Sequence, residues 1–494
     1  MAQTPSPILS FFLVLAFLLS FTSVSNSIRD HQHNSYQIFD VSAVIQKTHQ
    51  VFTQTPQAQQ EEEAKPTITA TAQHNSSVLS FSLHPRASVK NPQHKDYSYL
   101  TRARIARDSA QVNSLNSKLE FALSGYTQAD LKPVPTAIQP EDLETPLTSG
   151  VSQGSGEYFA RMGVGRPGRS YYMVIDTGSD LSWLQCQPCA DCYQQTDPIF
   201  DPSSSSTYRT VSCSAQECSE LQISGCSGGK CIYQINYGDG SYTMGDLATD
   251  TVSFGNTGSV SDVPIGCGHD NVGLFVGAAG LVGLARAPLS LPGRLRATSF
   301  SYCLVNRDSS SSSTLDFNSA PPGDSVFASM VRNPKLDLFY YVDMVGINVG
   351  GETLSIPASV FQVDGNGRGG IIVDSGTAVT RLNTQAYNAL RDAFKKYASD
   401  LPSSSGFSLF DTCYDFSSVG GSVRVPTVSF LLASGKRLLL KPSNYLVPVD
   451  GRGKFCLAFA PTSSLSIIGN VQQQGTRVSF DLANRQFGFS PNKC

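Results

Sequence analysis

The sequence predicts a mainly β protein built from two related halves, and three observations carry that reading. Two stretches match one another. Tyr171-Tyr172-Met173-Val174-Ile175 runs into Asp176-Thr177-Gly178-Ser179, and Gly370-Ile371-Ile372-Val373 runs into Asp374-Ser375-Gly376-Thr377. Each apolar run predicts a buried strand, so each aspartate sits where a carboxylate needs help to remain. Each stretch is also followed, later in its half, by an apolar-apolar-Gly segment: Leu281-Val282-Gly283 and Ile467-Ile468-Gly469. Two unusual sites in corresponding places imply a duplication that brings the aspartates together. Composition agrees. Charged residues make up 15% of the chain, against about 25% for an average soluble protein, and 41 Gly, 19 Tyr and 27 Phe lean toward a β-rich, extracellular type.

At 494 residues the chain is too long for one ordinary core, and two or three units of about 150 residues are expected. A net charge of -3 provides no basic stripe to neutralise phosphates, which argues against a nucleic-acid partner. Ile8 to Phe21 is an apolar run of 14 residues, too short to span a bilayer, and Ser23, Ser25 and Ser27 follow it. Residues 1–25 therefore read as a signal peptide, although no Lys or Arg precedes the run. The expected address is the secretory pathway, extracellular first, with vacuole and endoplasmic reticulum as alternatives. No stable membrane span is expected, and a monomer is. All twelve cysteines lie from Cys186 onward, an even count that reads as disulfides behind a signal peptide. Cys186, Cys189 and Cys192 have metal-ligand spacing but no nearby His, so neither a metal nor any other cofactor is expected.

Residues 26–150 differ in composition from the rest: no Cys, a Gln- and Glu-rich patch at Gln57 to Glu63, and the chain's one glycosylation sequon at Asn75. Within them, Tyr97 to Leu123 places Leu100, Ile105, Val112, Leu115, Leu119 and Leu123 at loosely helical spacing, with Arg102, Arg104 and Arg107 on the other faces. A solvated linker helix would fit. Its position ahead of an acidic site favours a basic pro-segment that covers the cleft until it is cut away. The first half, 151–335, begins with strand-like residues at Glu157 to Val164, then carries a Cys-rich insert, 186–231, holding seven of the twelve cysteines. Such a loop-rich block builds little core and depends on staples. Cys231 to Tyr237 alternates and meets Gly238-Asp239-Gly240, a strong hairpin signal. The second half, 336–494, restarts the strand pattern at Phe339. Asp364 to Arg368 is read as a turn, because an arginine occupies the place where a calcium loop needs an oxygen ligand. Asn383 is the expected N-cap of a helix that carries Tyr387, Leu390, Phe394 and Tyr397 on one face.

Two carboxylates presented in one cleft cannot both ionise cheaply, so they share a proton and titrate together. One can then take a proton from a water while the other gives one to a carbonyl, without a covalent intermediate. Gly178 and Gly376 let the two backbones approach, and the hydroxyls of Thr177, Ser179, Ser375 and Thr377 hold the carboxylates in place.

From Glu157 to Cys494 these motifs resemble the pepsin-like aspartic proteases. The resemblance implies a bilobal fold: two lobes related by a pseudo-twofold axis, a few short helices, and the active site in the cleft between them. It implies that Asp176 and Asp374 are catalytic, that Thr177 and Ser375 reach across to the opposite loop, and that Tyr237 with Gly238, Asp239 and Gly240 forms a flap over the peptide. Trp183, the only tryptophan, stands seven residues after Asp176, where the family supports that tyrosine. The Cys-rich block with Gly266 to Asn271 resembles the nepenthesin-like plant subgroup, including the guard-cell type. Only Cys413 with Cys456 has a disulfide counterpart in the family. Ser375 replaces the threonine of animal pepsins and keeps the hydroxyl. His269 reads as a satisfied loop residue. The expected function is an aspartic endopeptidase made as a zymogen, acting in acid on protein or peptide substrates at bulky apolar residues. The alternative is a catalytically silent binding or inhibitor protein on the same fold, which the full catalytic set argues against. A glycosidase also uses two carboxylates, but one tryptophan is few for sugar stacking.

Overall fold

Strands from the leader, the first half and the end of the chain meet in one antiparallel sheet. The computed structural model describes residues 35–54, 56, 78–90, 92, 94–124, 156–237, 241–273, 275 and 277–494. The signal-peptide reading (1–25), the Gln- and Glu-rich patch, Asn75 and the flap turn Gly238–Gly240 lie outside them.

The leader contributes β1 (Tyr36–Asp40), α1 (Val41–Gln50), β2 (Leu79–Pro85) and α2 (Tyr97–Leu123). The body follows with β3 (Tyr158–Val164), β4 (Arg169–Asp176), β5 (Gly280–Gly283), β6 (Ser299–Cys303), β7 (Ser313–Phe317) and β8 (Val326–Val331). The second half adds β9 (Ile371–Val373), α3 (Thr384–Tyr397), β10 (Ser422–Pro426), β11 (Ser466–Ile468), β12 (Thr476–Asp481) and β13 (Gln486–Pro491). The shared sheet runs β3-β2-β7-β6-β12-β13-β8, antiparallel at every step. The last two strands of the chain thus complete a sheet begun by the first half. Phe300 of β6 stacks on Phe480 of β12 with ring centroids 4.4 Å apart, which locks that crossing.

The described residues of the leader form more regular structure than its composition implies. In β2, Leu79, Phe81 and Leu83 alternate with Ser80 and Ser82, a period-2 pattern that suits a half-buried strand. Phe81 and Leu83 are fully buried, and Phe81 stacks on Phe254 at 4.4 Å. Burying such side chains is worth roughly 1.5–3 kcal/mol each. β1 pairs antiparallel with β10 of the second half, Phe39 opposite Val423. Asp40 then caps α1, its Oδ1 accepting from the Ala43 amide at 2.9 Å. Val51, Ala87, Tyr97 and Leu100 make a small apolar cluster within the leader.

The sequence-predicted helix at Tyr97 to Leu123 is α2, with Asp96 accepting from the Ser98 and Tyr99 amides. Its arginines are not all solvated: Arg104 and Arg107 are buried, and Arg102 lies over the Phe407 ring at 4.4 Å. Asn383 caps α3 as its sequence position implies, accepting from the Gln385 amide at 3.0 Å. Asp364 closes a turn by accepting from the Asn366 and Arg368 amides. No helix among the described residues is long and apolar enough to cross a membrane.

Every cysteine is paired. Cys413 bonds Cys456, as the resemblance implies. The pairs that remained unassigned are Cys186–Cys267, Cys189–Cys192, Cys213–Cys226, Cys218–Cys231 and Cys303–Cys494. The run Cys186, Cys189 and Cys192 is therefore split between two disulfides. Cys303–Cys494 fastens the C-terminus to β6 across 191 residues.

Candidate active site

β4 delivers Asp176 and β9 delivers Asp374, and each strand is braced in the same way. Gly283 of β5 lies opposite Asp176 in a parallel pair, and Ile468 of β11 lies opposite Val373 in another. The Leu284 amide donates to the Asp176 carbonyl at 2.9 Å, and the Asp374 amide donates to the Ile468 carbonyl at 3.1 Å. A Cβ on Gly283 would meet the Asp180 carbonyl oxygen at 2.7 Å, and one on Gly469 the Ala378 carbonyl oxygen at 2.5 Å. Only glycine allows that approach.

Both carboxylates are buried, and both loops supply their donors. Asp176 accepts from Ser179 Oγ at 2.5 Å and from the Gly178 amide at 2.9 Å. Asp374 accepts from Thr377 Oγ1 at 2.7 Å, the Thr377 amide at 2.8 Å, and Thr177 Oγ1 of the opposite loop at 2.8 Å. The Ser375 amide donates to Thr177 Oγ1 at 2.9 Å, and the Thr177 amide to Ser375 Oγ at 3.2 Å. Thr177 and Ser375 thus tie the loops reciprocally. Burial, and then the charge of Asp176, push the Asp374 carboxyl up to about 6, outweighing the hydrogen bonds that favour its ionised form.

Beside the dyad, Trp183 Nε1 donates to the Tyr237 hydroxyl at 2.9 Å. Phe275 packs edge-on against both rings, with centroids 5.2 Å from Trp183 and 5.1 Å from Tyr237. Burial raises the Tyr237 hydroxyl well above its usual range, so it stays protonated. His269 is satisfied in a loop, its Nδ1 2.9 Å from the Pro188 carbonyl oxygen and its Nε2 3.7 Å from Asp246. Sequence reasoning missed Phe275. It also missed Gln473, whose Nε2 donates to the Asp374 and Ile468 carbonyls, and Asn470, whose Nδ2 donates to the Ser375 carbonyl. Asn470 directly follows Gly469 and Gln473 lies four residues after it, and that closeness to the brace was the available signal.

The leader helix α2 reaches the dyad itself. Gln111 Nε2 donates to Asp176 Oδ1 at 3.0 Å and lies 3.4 Å from Asp374 Oδ2. The leader group that meets the two buried carboxylates is thus a neutral amide. The basic residues pair elsewhere. Arg107 bonds Glu157 at 2.6 Å, and Arg104 bonds Glu157 at 3.2 Å and Asp308 at 2.9 Å, all of them buried. Burial alone would raise Glu157, but Arg107 and Arg104 outweigh it and hold the carboxyl at about 2. On one side of Gln111, Val112, Leu115 and Leu119 pack on Phe339, Tyr341, Ile372, Leu465 and Ile467. Lys118 Nζ donates to the Gly178 carbonyl at 2.7 Å.

Both halves of the chain are similar to known proteins. Family profiles described as Xylanase inhibitor N-terminal and Xylanase inhibitor C-terminal match residues 158–318 and 339–491. Aspartyl protease family protein 2 of Arabidopsis thaliana is 50% identical over 79% of this chain and 81% of its own length. The protein ASPARTIC PROTEASE IN GUARD CELL 2 from the same plant is 45% identical over 85% of this chain and 88% of its own. Aspartic proteinase nepenthesin-2 of Nepenthes gracilis is 42% identical over 81% and 86%. The crystal structure of edgp aligns with a TM-score of 0.58 at 22% identity, covering 68% of this chain and 91% of that one, which supports the fold alone. With its bilobal β fold and these relatives, the chain belongs to the plant pepsin-like aspartic proteases of the nepenthesin type, which are aspartic endopeptidases.

Proposed function

We propose that this chain is the latent form of an endopeptidase that binds an extended peptide across the dyad and works in acid. One observation carries the reading: a single amide nitrogen, Gln111 Nε2, lies within hydrogen-bond reach of both Asp176 and Asp374. A group at that point can exchange protons with either carboxylate. A pair of aspartates sharing one proton is the established pattern in aspartic proteases. With the leader gone, Asp176 takes a proton from a water held there as Asp374, protonated, gives one to the scissile carbonyl. The tetrahedral diol then collapses as a proton passes to the leaving amine. The charge of Asp176, which raises the Asp374 carboxyl and stays beside it when the leader leaves, supports activity in acid, where the pair retains its proton.

Latency follows from α2 filling the place of the substrate. A cut between Leu123 and Tyr158 severs the covalent tie between α2 and β3, so that α2 can leave the cleft. The apolar wall beneath Val112, Leu115 and Leu119 supports a preference for bulky apolar residues near the bond. Six disulfides support folding in an oxidising compartment of the secretory route.

The family profiles carry the name of inhibitors, so a silent binding protein is the second reading. A protease site introduced between residues 125 and 150 allows the leader to be cut and removed. Peptide cleavage is then assayed between about pH 3 and 7. Cleavage is expected only after the cut, and Asp176→Asn or Asp374→Asn should lower it by a factor of about 10² to 10⁴ or more without unfolding the protein. No cleavage at any pH by the leader-free protein would favour the binding protein.

A further inference from the structure

One leader side chain besides Gln111 enters the cleft as a ligand. Asp108 has a fully buried side chain, and its Oδ1 accepts from the Ala378 amide at 2.6 Å and the Val379 amide at 3.0 Å. Its Oδ2 accepts from Arg381 Nη2 at 2.6 Å. The other arm of the guanidinium donates to the Val379 carbonyl at 2.8 Å, which fixes the fork beside the two amides. Asp108 is the only carboxylate in ion-pair contact with Arg381 among the described residues. All three donors belong to the body. They follow Thr377, which itself bonds Asp374, so the group stays in place when the leader leaves.

Two backbone amides and a guanidinium converging on one point suit a carboxylate and repel an apolar side chain, because a buried cation without an anion is costly. Asp108 precedes Gln111 by one helical turn, so their Cβ atoms lie about 5–6 Å apart. An extended peptide advances about 3.3 Å per residue. We propose that in the mature enzyme Arg381, with the amides of Ala378 and Val379, forms a subsite for an acidic side chain of the substrate, one or two residues from the scissile bond. It rests on the reading that a peptide replaces α2 in the cleft. The leader's Asp108 is then a mimic of the substrate's Asp or Glu, and the mature enzyme selects peptides that place an acid beside the apolar residues taken by the wall at Phe339 and Ile467.

Leader-free enzyme is given two peptide series at about pH 5, where a free aspartate is ionised. The series differ only in carrying Asp or Asn, scanned through three positions on each side of the bond. At one position kcat/KM for Asp should exceed that for Asn by about ten- to a hundred-fold. The ratio should fall to near 1 in Arg381→Gln and to an intermediate value in Arg381→Lys, which keeps the charge and loses the fork. Equal rates for Asp and Asn at every position in the unmodified enzyme overturn the proposal, whether or not a variant folds. A preference that survives in Arg381→Gln overturns it too. Failure to cut either series removes the endopeptidase reading itself, so the two failures are distinguishable.

Discussion

Asp176 and Asp374 stand at the ends of equivalent strands, yet the two loops are not held alike. Thr177 Oγ1 crosses over and donates to Asp374 at 2.8 Å. Ser375 Oγ does not return the bond to Asp176: it donates to the Ile175 carbonyl at 3.4 Å. The leader repeats the bias. It grips the second loop through Asp108, with two amides and Arg381, and touches the first through Lys118 on one carbonyl, besides the amide of Gln111 that spans both. Backbone pseudo-symmetry therefore does not make the two aspartates equivalent. Asp374 is raised to about 6 despite its donors, because burial and the neighbouring charge exceed what the hydroxyls return.

The largest expected effect separates the two leader grips. Asp108→Asn leaves a buried guanidinium without its anion, a loss of about 3–5 kcal/mol in leader docking. Lys118→Met removes one part-buried bond and should cost about 1 kcal/mol. The onset of peptide cleavage by uncut protein measures both, and equal effects would break the contrast between the loops. Next come the crossing hydroxyls. Thr177→Ala removes a bond to a carboxylate, worth about 1.5–3 kcal/mol, whereas Ser375→Ala removes a longer neutral one, worth about 1 kcal/mol. Denaturant unfolding of the two variants checks the order, and a larger loss in Ser375→Ala would reverse the assignment.

The last prediction concerns pH. Folded Asp374 keeps its proton up to about 6, whereas in the unfolded chain an aspartate gives it up near 3.9. In that window the native state binds more protons, so stability contributed by this group is full below about pH 4 and falls as pH rises to about 6. Asp374→Asn should flatten that slope in a melting series, and an unchanged slope would assign the proton elsewhere.

Much of this was legible in the residues because it is local. Apolar runs ending in Asp176 and Asp374, the cap at Asn383 and the period of Tyr97 to Leu123 all lie within one element each. Through the family resemblance, the sequence also indicated the bilobal architecture and the Cys413–Cys456 bond. It carried the alternation of Leu79, Phe81 and Leu83 as well, but a short strand is recognisable only once its partners are known, and β2 finds its own in β3 and β7. The tertiary structure alone decided the remaining five disulfides, since pairing is a matter of proximity rather than of spacing. It alone decided that Arg104 and Arg107 are buried with Glu157 and Asp308, and that Gln111, 263 residues before Asp374 in the chain, is the group that meets it. A sequence states which side chains can donate and accept. Which of them meet depends on loop closures hundreds of residues long, and those are settled by the packing of the whole molecule.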